Sequence, residues 1–340
     1  MRANTLRSRG GWLGSALLLL PLPLPLGCTN VGGTDDGFDF STESNGPGIS
    51  GSSGSGSGTA DEGSTGEATG STGSDTGPAD EGSSSSGELP PAEPCTSIDI
   101  VFVVDDSEPM AEEQARMQTA ALAFVQQLAV SIPTLDAPMH VGVITTDDEL
   151  FVPPGGEGCE APYEGGNPWM LSSSSMLATE LSCALSVGVM GSPNERPMDM
   201  LIGSLADENL QPGGPHFGFL REDALLVVVL VTNEEDELED DTAWGSAGDP
   251  PAWVEAMAGR KGGWVNDVVV LSLLGTPKPN ACPDFQWDGT EGAQVSPRLI
   301  EFTESFPQGA VGDICQPEYD SFLLGVVPGV TAACAGYIPP

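Results

Sequence analysis

The sequence predicts an α/β fold of the doubly wound kind, a Rossmann-type sandwich with one mostly parallel sheet and helices on both faces. Three observations point there. Short runs of β-branched and aliphatic residues stop abruptly at carboxylates, hydroxyls or amides. Between them lie stretches with apolar residues at helical spacing. The two patterns then alternate through residues 95–340. Wholly apolar strands are those buried on both faces, the condition of a parallel sheet covered by crossover helices. Ligands bind such sheets beyond the carboxyl ends of the strands, so the polar residues closing each run are where chemistry is expected.

The first run, IDIVFVVDDSEPM over 98–110, reads as a buried strand ending at Asp105, Asp106 and Ser107. Pro109 suits the first turn of the following helix, where a missing N–H is no loss. Residues 111–130 place Met117, Ala121, Phe124, Val125 and Leu128 on one helical face. HVGVITT, 140–146, is a second strand and ends at Asp147 and Asp148. A Gly/Pro-rich loop, 149–175, holds Cys159 and a short edge strand near 169–171. Helices are expected over 176–187 and 197–206. LLVVVLVT, 225–232, is the most apolar strand and therefore central; it runs through Asn233 into the acidic stretch EEDELEDD. A helix near 252–258, a strand over 268–274 and helices over 297–306 and 318–327 complete the pattern. The strands closing at Asp105, Asp147 and Asn233 should bring those ends to one edge.

Ahead of this domain the composition changes twice. Residues 1–28 carry Arg2, Arg7 and Arg9 before an apolar run broken by Pro21, Pro23 and Pro25, the pattern of an export signal peptide rather than a permanent span. The run closes in LPLGC, where Gly27-Cys28 resembles the lipobox at which bacterial lipoproteins are cleaved and acylated on the cysteine; Pro25 stands where that motif has an aliphatic residue. Residues 29–94 are rich in Gly, Ser, Thr, Asp and Glu and lack Lys and Arg. Such a segment buries too little to offset chain entropy and should be a disordered, self-repelling linker. The expectation is an exported lipoprotein of the bacterial cell envelope, anchored at the outer membrane or cell surface by lipid on Cys28 and touching membrane nowhere else.

Six cysteines follow Cys28, an even number that argues for disulfides in an exported domain. No CxxC pair suggests zinc. Of the fifteen pairings six cysteines allow, we favour Cys159 with Cys183, Cys282 with Cys315, and Cys95 with Cys334 tying the domain's ends. The formal charge of −40 disfavours nucleic acid and anionic lipid headgroups and leaves divalent cations or basic partners.

Four segments, DIVFVVDDSEPMAEEQ, HVGVITT, GSPNERPMDMLIGSL and LLVVVLVTNEEDE, resemble a von Willebrand factor type A domain in its exported bacterial lipoprotein form; DICQPEYDSFLLG is a weaker similarity. That resemblance implies a metal-ion-dependent adhesion site built from an Asp-x-Ser-x-Ser loop, a Thr on a second loop and an Asp on a third. Asp105 and Ser107 match its first two ligands, and Asn233 stands where the third-loop aspartate belongs. Pro109 replaces the second serine, and Ser192 is the hydroxyl nearest the threonine's place. Glu108, Asp106, Glu234 and Asp236 are neighbours able to supply further oxygens. Mg²⁺ accepts water in several positions and Ca²⁺ tolerates irregular geometry, so either suits a depleted set. EEDELEDD lacks the spacing of an EF-hand loop and reads as a solvated loop, with a second cation site as the minority reading.

VVDDSEPM also resembles the acidic pair of a receiver domain, but Lys278 lies too far from Asp148 for one. No Gly-x-Ser-x-Gly elbow, Walker loop or dinucleotide fingerprint is present, and His140 and His216 form no metal-binding or catalytic motif. The expected function is therefore binding or adhesion toward a protein or extracellular polymer, not catalysis. The alternatives are a structural or assembly role in the envelope with an inactive metal site and, third, a metal-assisted hydrolase.

Overall fold

The computed structural model describes residues 92–155, 159, 162–237, 244–286 and 292–339. The signal segment, the lipobox with Cys28 and all but the last residues of the linker lie outside them.

The elements in chain order are β1 (Ser97–Val104), α1 (Ala111–Ser131), β2 (His140–Thr145), β3 (Met170–Leu171), α2 (Leu177–Ala184), α3 (Pro197–Ser204), α4 (Asp207–Leu210), β4 (Ala224–Val231), α5 (Pro250–Gly259), β5 (Val268–Leu274), α6 (Pro297–Glu304), β6 (Ala310–Asp313) and α7 (Asp320–Ala335). The sheet has six strands in the order β3-β2-β1-β4-β5-β6. All neighbours are parallel except β2 and β3. The fold is the expected doubly wound α/β sandwich.

Alternation within each strand builds two cores. Ile98, Ile100, Phe102 and Val104 of β1 join Leu225, Val227, Val229 and Val231 of β4 under α1, α2 and α7. Val101 and Val103 join Leu226, Val228 and Leu230 on the other face, under α3, α5 and α6. Every residue of β1 and β4 is buried, which explains why these runs show no polar alternation. Ser272 is the polar exception in β5, and its hydroxyl is bonded to that of Thr303 on α6 at 2.7 Å.

Two elements escaped the sequence pattern, and one helix was expected too short. β6 is a four-residue, half-buried edge strand, AVGD, with too little apolar content to read as a strand. α4 is a single turn after α3. α7 was expected to stop at 327 ahead of Pro328, yet it continues to Ala335. Pro328 is exposed, whereas Leu323, Val327, Val330 and Cys334 form a buried helical stripe. Burial of that stripe outweighs the ~3 kcal/mol a mid-helix proline typically costs.

The disulfides are Cys95–Cys334, Cys159–Cys183 and Cys282–Cys315, the pairing favoured from the sequence. Three bridges indicate an oxidising, extracytoplasmic location. Among the described residues no helix is long and apolar enough to cross a membrane.

Candidate metal centre

The parallel register sets Val104 of β1 level with Thr145 of β2 and Val231 of β4. Asp105, Thr146 and Thr232, each the next residue along, therefore leave the sheet side by side. β1 is also where the winding reverses, with β2 on one side and β4 on the other, the usual place for a ligand crevice in such sheets.

Asp105 is fully buried. One carboxylate oxygen accepts the Ser107 backbone N–H at 2.8 Å and the other accepts the Thr232 hydroxyl at 2.7 Å. Burial pushes its pKa up, more than the donors of Ser107 and Thr232 pull it down. Gln114 on α1 fixes the loop by donating to the Asp105 carbonyl at 3.0 Å and to the Gly188 carbonyl at 2.6 Å. Pro109 lies in a short 3₁₀ turn, Glu108–Met110, that feeds α1.

The second loop closes over this edge through Gly191, whose N–H donates to the Asp106 carbonyl at 2.8 Å. A side chain is excluded there, because a Cβ would sit 2.6 Å from an Asp106 carboxylate oxygen. Asp147 accepts the Ser192 N–H at 2.5 Å, and the Ser192 hydroxyl accepts the Asn194 N–H at 3.0 Å. That turn sends Glu195 inward, to 3% exposure.

Ser107 Oγ, Asn233 Oδ1 and both carboxylate oxygens of Glu195 are buried near Asp105 without a well-formed hydrogen bond, although the Ser107 hydroxyl lies close enough to Asp105, and the Thr146 hydroxyl close enough to Glu195, to pull those pKa values down. Burial, then the charges of Asp105, Glu234 and Asp147, raise the Glu195 pKa far above the carboxylate range. Glu234 is pushed up to about 7 by burial, Asp105 and Glu237. Asp106 rises to about 6 through burial, Asp147 and Asp105. Stranded acceptors among mutually repelling carboxylates are the donor set a hard cation takes.

The structure places Ser107 and Asn233 against the Asp105 carboxylate through their backbone N–H groups and puts three other candidate residues elsewhere. The Ser192 hydroxyl is turned into its own loop. Glu108 is solvent-exposed at the start of the 3₁₀ turn. Asp236 is buried, but its oxygens accept the backbone N–H groups of Ser246 and Met198, with Arg298 3.9 Å away, so it anchors α3. Glu195 is the residue the sequence reading missed, three positions beyond Ser192. Gly191 and Pro193, which bend the loop, were its signal.

Among the described residues, Cys282, Asp313 and Cys315, away from the acids around Asp105, have ligand atoms within 4.8 Å of one another. The two sulfurs are bonded to each other, so no thiolates remain to bind metal.

No family model and no curated protein matches this chain. Among solved structures, two of proximal thread matrix protein 1 from the mussel byssus are similar to it. Each is 13% identical with a TM-score of 0.37; one alignment covers 71% of this chain and 49% of that chain, the other 72% and 47%. The chain spans about half the length of that protein, and at this distance nothing about function transfers.

Proposed function

We propose that this chain is a binding protein of the bacterial cell envelope that holds a divalent cation, Mg²⁺ or Ca²⁺, at the carboxyl edge and through it engages a protein or extracellular polymer. One observation supports this most: Ser107 Oγ, Asn233 Oδ1 and the Glu195 carboxylate are buried beside Asp105 without a well-formed hydrogen bond. Leaving one such group unsatisfied costs roughly 1–3 kcal/mol, and one hard cation would satisfy them together. Asp105, Ser107, Asn233 and Glu195 would hold it. The arrangement resembles the adhesion site of von Willebrand factor type A domains, with the Glu195 carboxylate on the loop that carries threonine there. The bound ion would supply Lewis acidity toward an acidic group on the partner. Ser107, on a loop pinned by Gln114, and Glu195, on one pinned by Asp147, would be the residues positioned to orient the ion.

Binding is favoured over catalysis because both imidazoles are tied to the backbone: His140 Nδ1 to the Phe219 carbonyl at 2.7 Å, and His216 to Ser204 and Phe151. The disulfides fit export, and acylation of Cys28 would tether the domain through the acidic linker.

The test is a titration of Mg²⁺, Ca²⁺ and Mn²⁺ into the full chain, followed by thermal unfolding. At a hundredfold excess over Kd a cation should stabilise wild type by about 2.7 kcal/mol, and Asp105→Asn should abolish the response. A melting temperature that no cation moves would reject the centre.

A further inference from the structure

Beside the candidate metal centre, described residues from the segments before α3, after β4 and after β5 line an open cavity of about 420 Å³, within the ~300–1,000 Å³ range of small-ligand sites. Among the described residues its lining combines four carboxylates, Glu195, Glu234, Glu235 and Glu237, with the rings of Trp244 and Phe285 and includes no basic side chain. Two of the carboxylates already have partners. Glu235 accepts the backbone N–H groups of Asp236 and Arg298 at 2.9 and 2.8 Å, and Glu237 accepts the Gln294 side-chain amide. Glu195 is buried and neither oxygen makes a well-formed hydrogen bond, with the Thr146 hydroxyl close by. Among the described residues, the Glu234 side chain forms no hydrogen bond or ion pair either. Arg298, whose backbone N–H donates to Glu235, has its guanidinium engaged by the carbonyls of Asp236 and Gly248 and set 4.5 Å over the Trp253 ring.

We propose that this cavity binds an alkylammonium group, carried either by a free small amine or by a lysine side chain on a partner. The Glu234 carboxylate supplies charge and hydrogen-bond acceptors for an N–H donor, and the Glu195 carboxyl lies buried in the wall behind it. The aromatic rings supply what an inorganic cation does not use, apolar contact for an alkyl stem and attraction of the ammonium to a π-system. Trp244 is 47% exposed, a large apolar surface standing at the mouth of an acidic pocket. The site needs no divalent ion, but Glu195 belongs to both places, so loading the metal centre should weaken ammonium binding.

The probe is n-butylammonium chloride titrated into the full chain in EDTA, read by calorimetry and tryptophan emission, with n-butanol and sodium chloride as controls. Saturable binding is expected for the ammonium and for neither control. Trp244→Ala, at a half-exposed position, and Glu234→Gln should each weaken it by at least about fivefold, while Trp244→Ala keeps the wild-type response to Mn²⁺. N-acetyl-lysine methylamide binding more than about tenfold tighter than butylammonium assigns a lysine-bearing partner; equal affinity assigns a free amine. No binding beyond the sodium chloride control, or unchanged affinity in both variants, overturns the proposal. Because binding is read without divalent ions, that failure is separate from a failure of the metal centre.

Discussion

At the amino end of β1 the buried carboxylate of Asp99 meets a cation from its own chain. Arg221 donates to one oxygen through Nε and Nη2 at 2.8 and 2.6 Å and to the other through its backbone N–H at 2.7 Å. Lys261, also buried, donates to the carbonyls of Arg221 and Glu222, and the Cys95–Cys334 bridge closes the chain there. At the carboxyl end of the same strand Asp105 is just as buried, yet it meets a hydroxyl, an amide and further acids. Burial raises the pKa at both ends, to about 6 for Asp99, where Arg221 opposes it. The chain has 10 Lys and Arg against 50 Asp and Glu, and it commits two of these few cations to the end that only holds the fold. A buried acid left without one at the carboxyl edge is the charge that the proposed cation would balance.

The largest expected effect tests the satisfied end. Arg221→Met leaves the buried Asp99 without its guanidinium, with His140 Nδ1 3.5 Å from one oxygen, and should cost about 3–5 kcal/mol in urea unfolding. Asp99→Asn in the same chain should recover most of that loss. A cost below ~1 kcal/mol would mean that internal pairing is not what makes Asp99 tolerable, and the contrast with Asp105 would lose its meaning.

The next effect has the opposite sign. Glu195→Gln, measured in EDTA, replaces a buried acid by a neutral amide and should stabilise the protein by roughly 1–2 kcal/mol. It should also shrink the melting-temperature rise caused by Mn²⁺. Destabilisation in EDTA would show that Glu195 is satisfied within the chain, making the two ends alike.

Much of this contrast was legible in the sequence. Continuous apolar runs ending at Asp105, Asp147 and Asn233 follow from strands buried on both faces, so the edge and three oxygen donors could be placed by pattern alone. Glu195 could not. Whether Ser192 or Glu195 turns inward depends on Ser192 and Asn194 bonding to Asp147 and to Ser192 itself, contacts between loops 45 residues apart that no periodicity encodes. Asp236 misled for a related reason: a carboxylate after a central strand looks like a ligand until Met198 and Ser246 are seen donating to it. Arg221 carried no signal, because its partner Asp99 lies 122 residues away inside an otherwise apolar strand.

The smallest effect concerns a third way of settling a buried titratable group, keeping it neutral. His216 is buried near the carboxyl edge, with Nδ1 2.7 Å from the Ser204 carbonyl and Nε2 accepting the Phe151 N–H at 3.1 Å. The carbonyl requires the proton on Nδ1 and the N–H requires a lone pair on Nε2, which fixes the neutral tautomer. Stacking on Phe151 at 3.9 Å completes its surroundings, and burial lowers its pKa more than Glu149 and Asp148 raise it. A histidine with a depressed folded pKa contributes stability that is complete above its unfolded value of about 6.5 and fades as pH falls toward the folded one. Wild type should therefore lose roughly 1 kcal/mol from this group between pH 7.5 and 5.5, and His216→Asn, though less stable throughout, should lose less over the same interval. Equal slopes in urea unfolding would mean that this ring is already charged in the fold, which would put a cation of the chain's own at the end where none is expected.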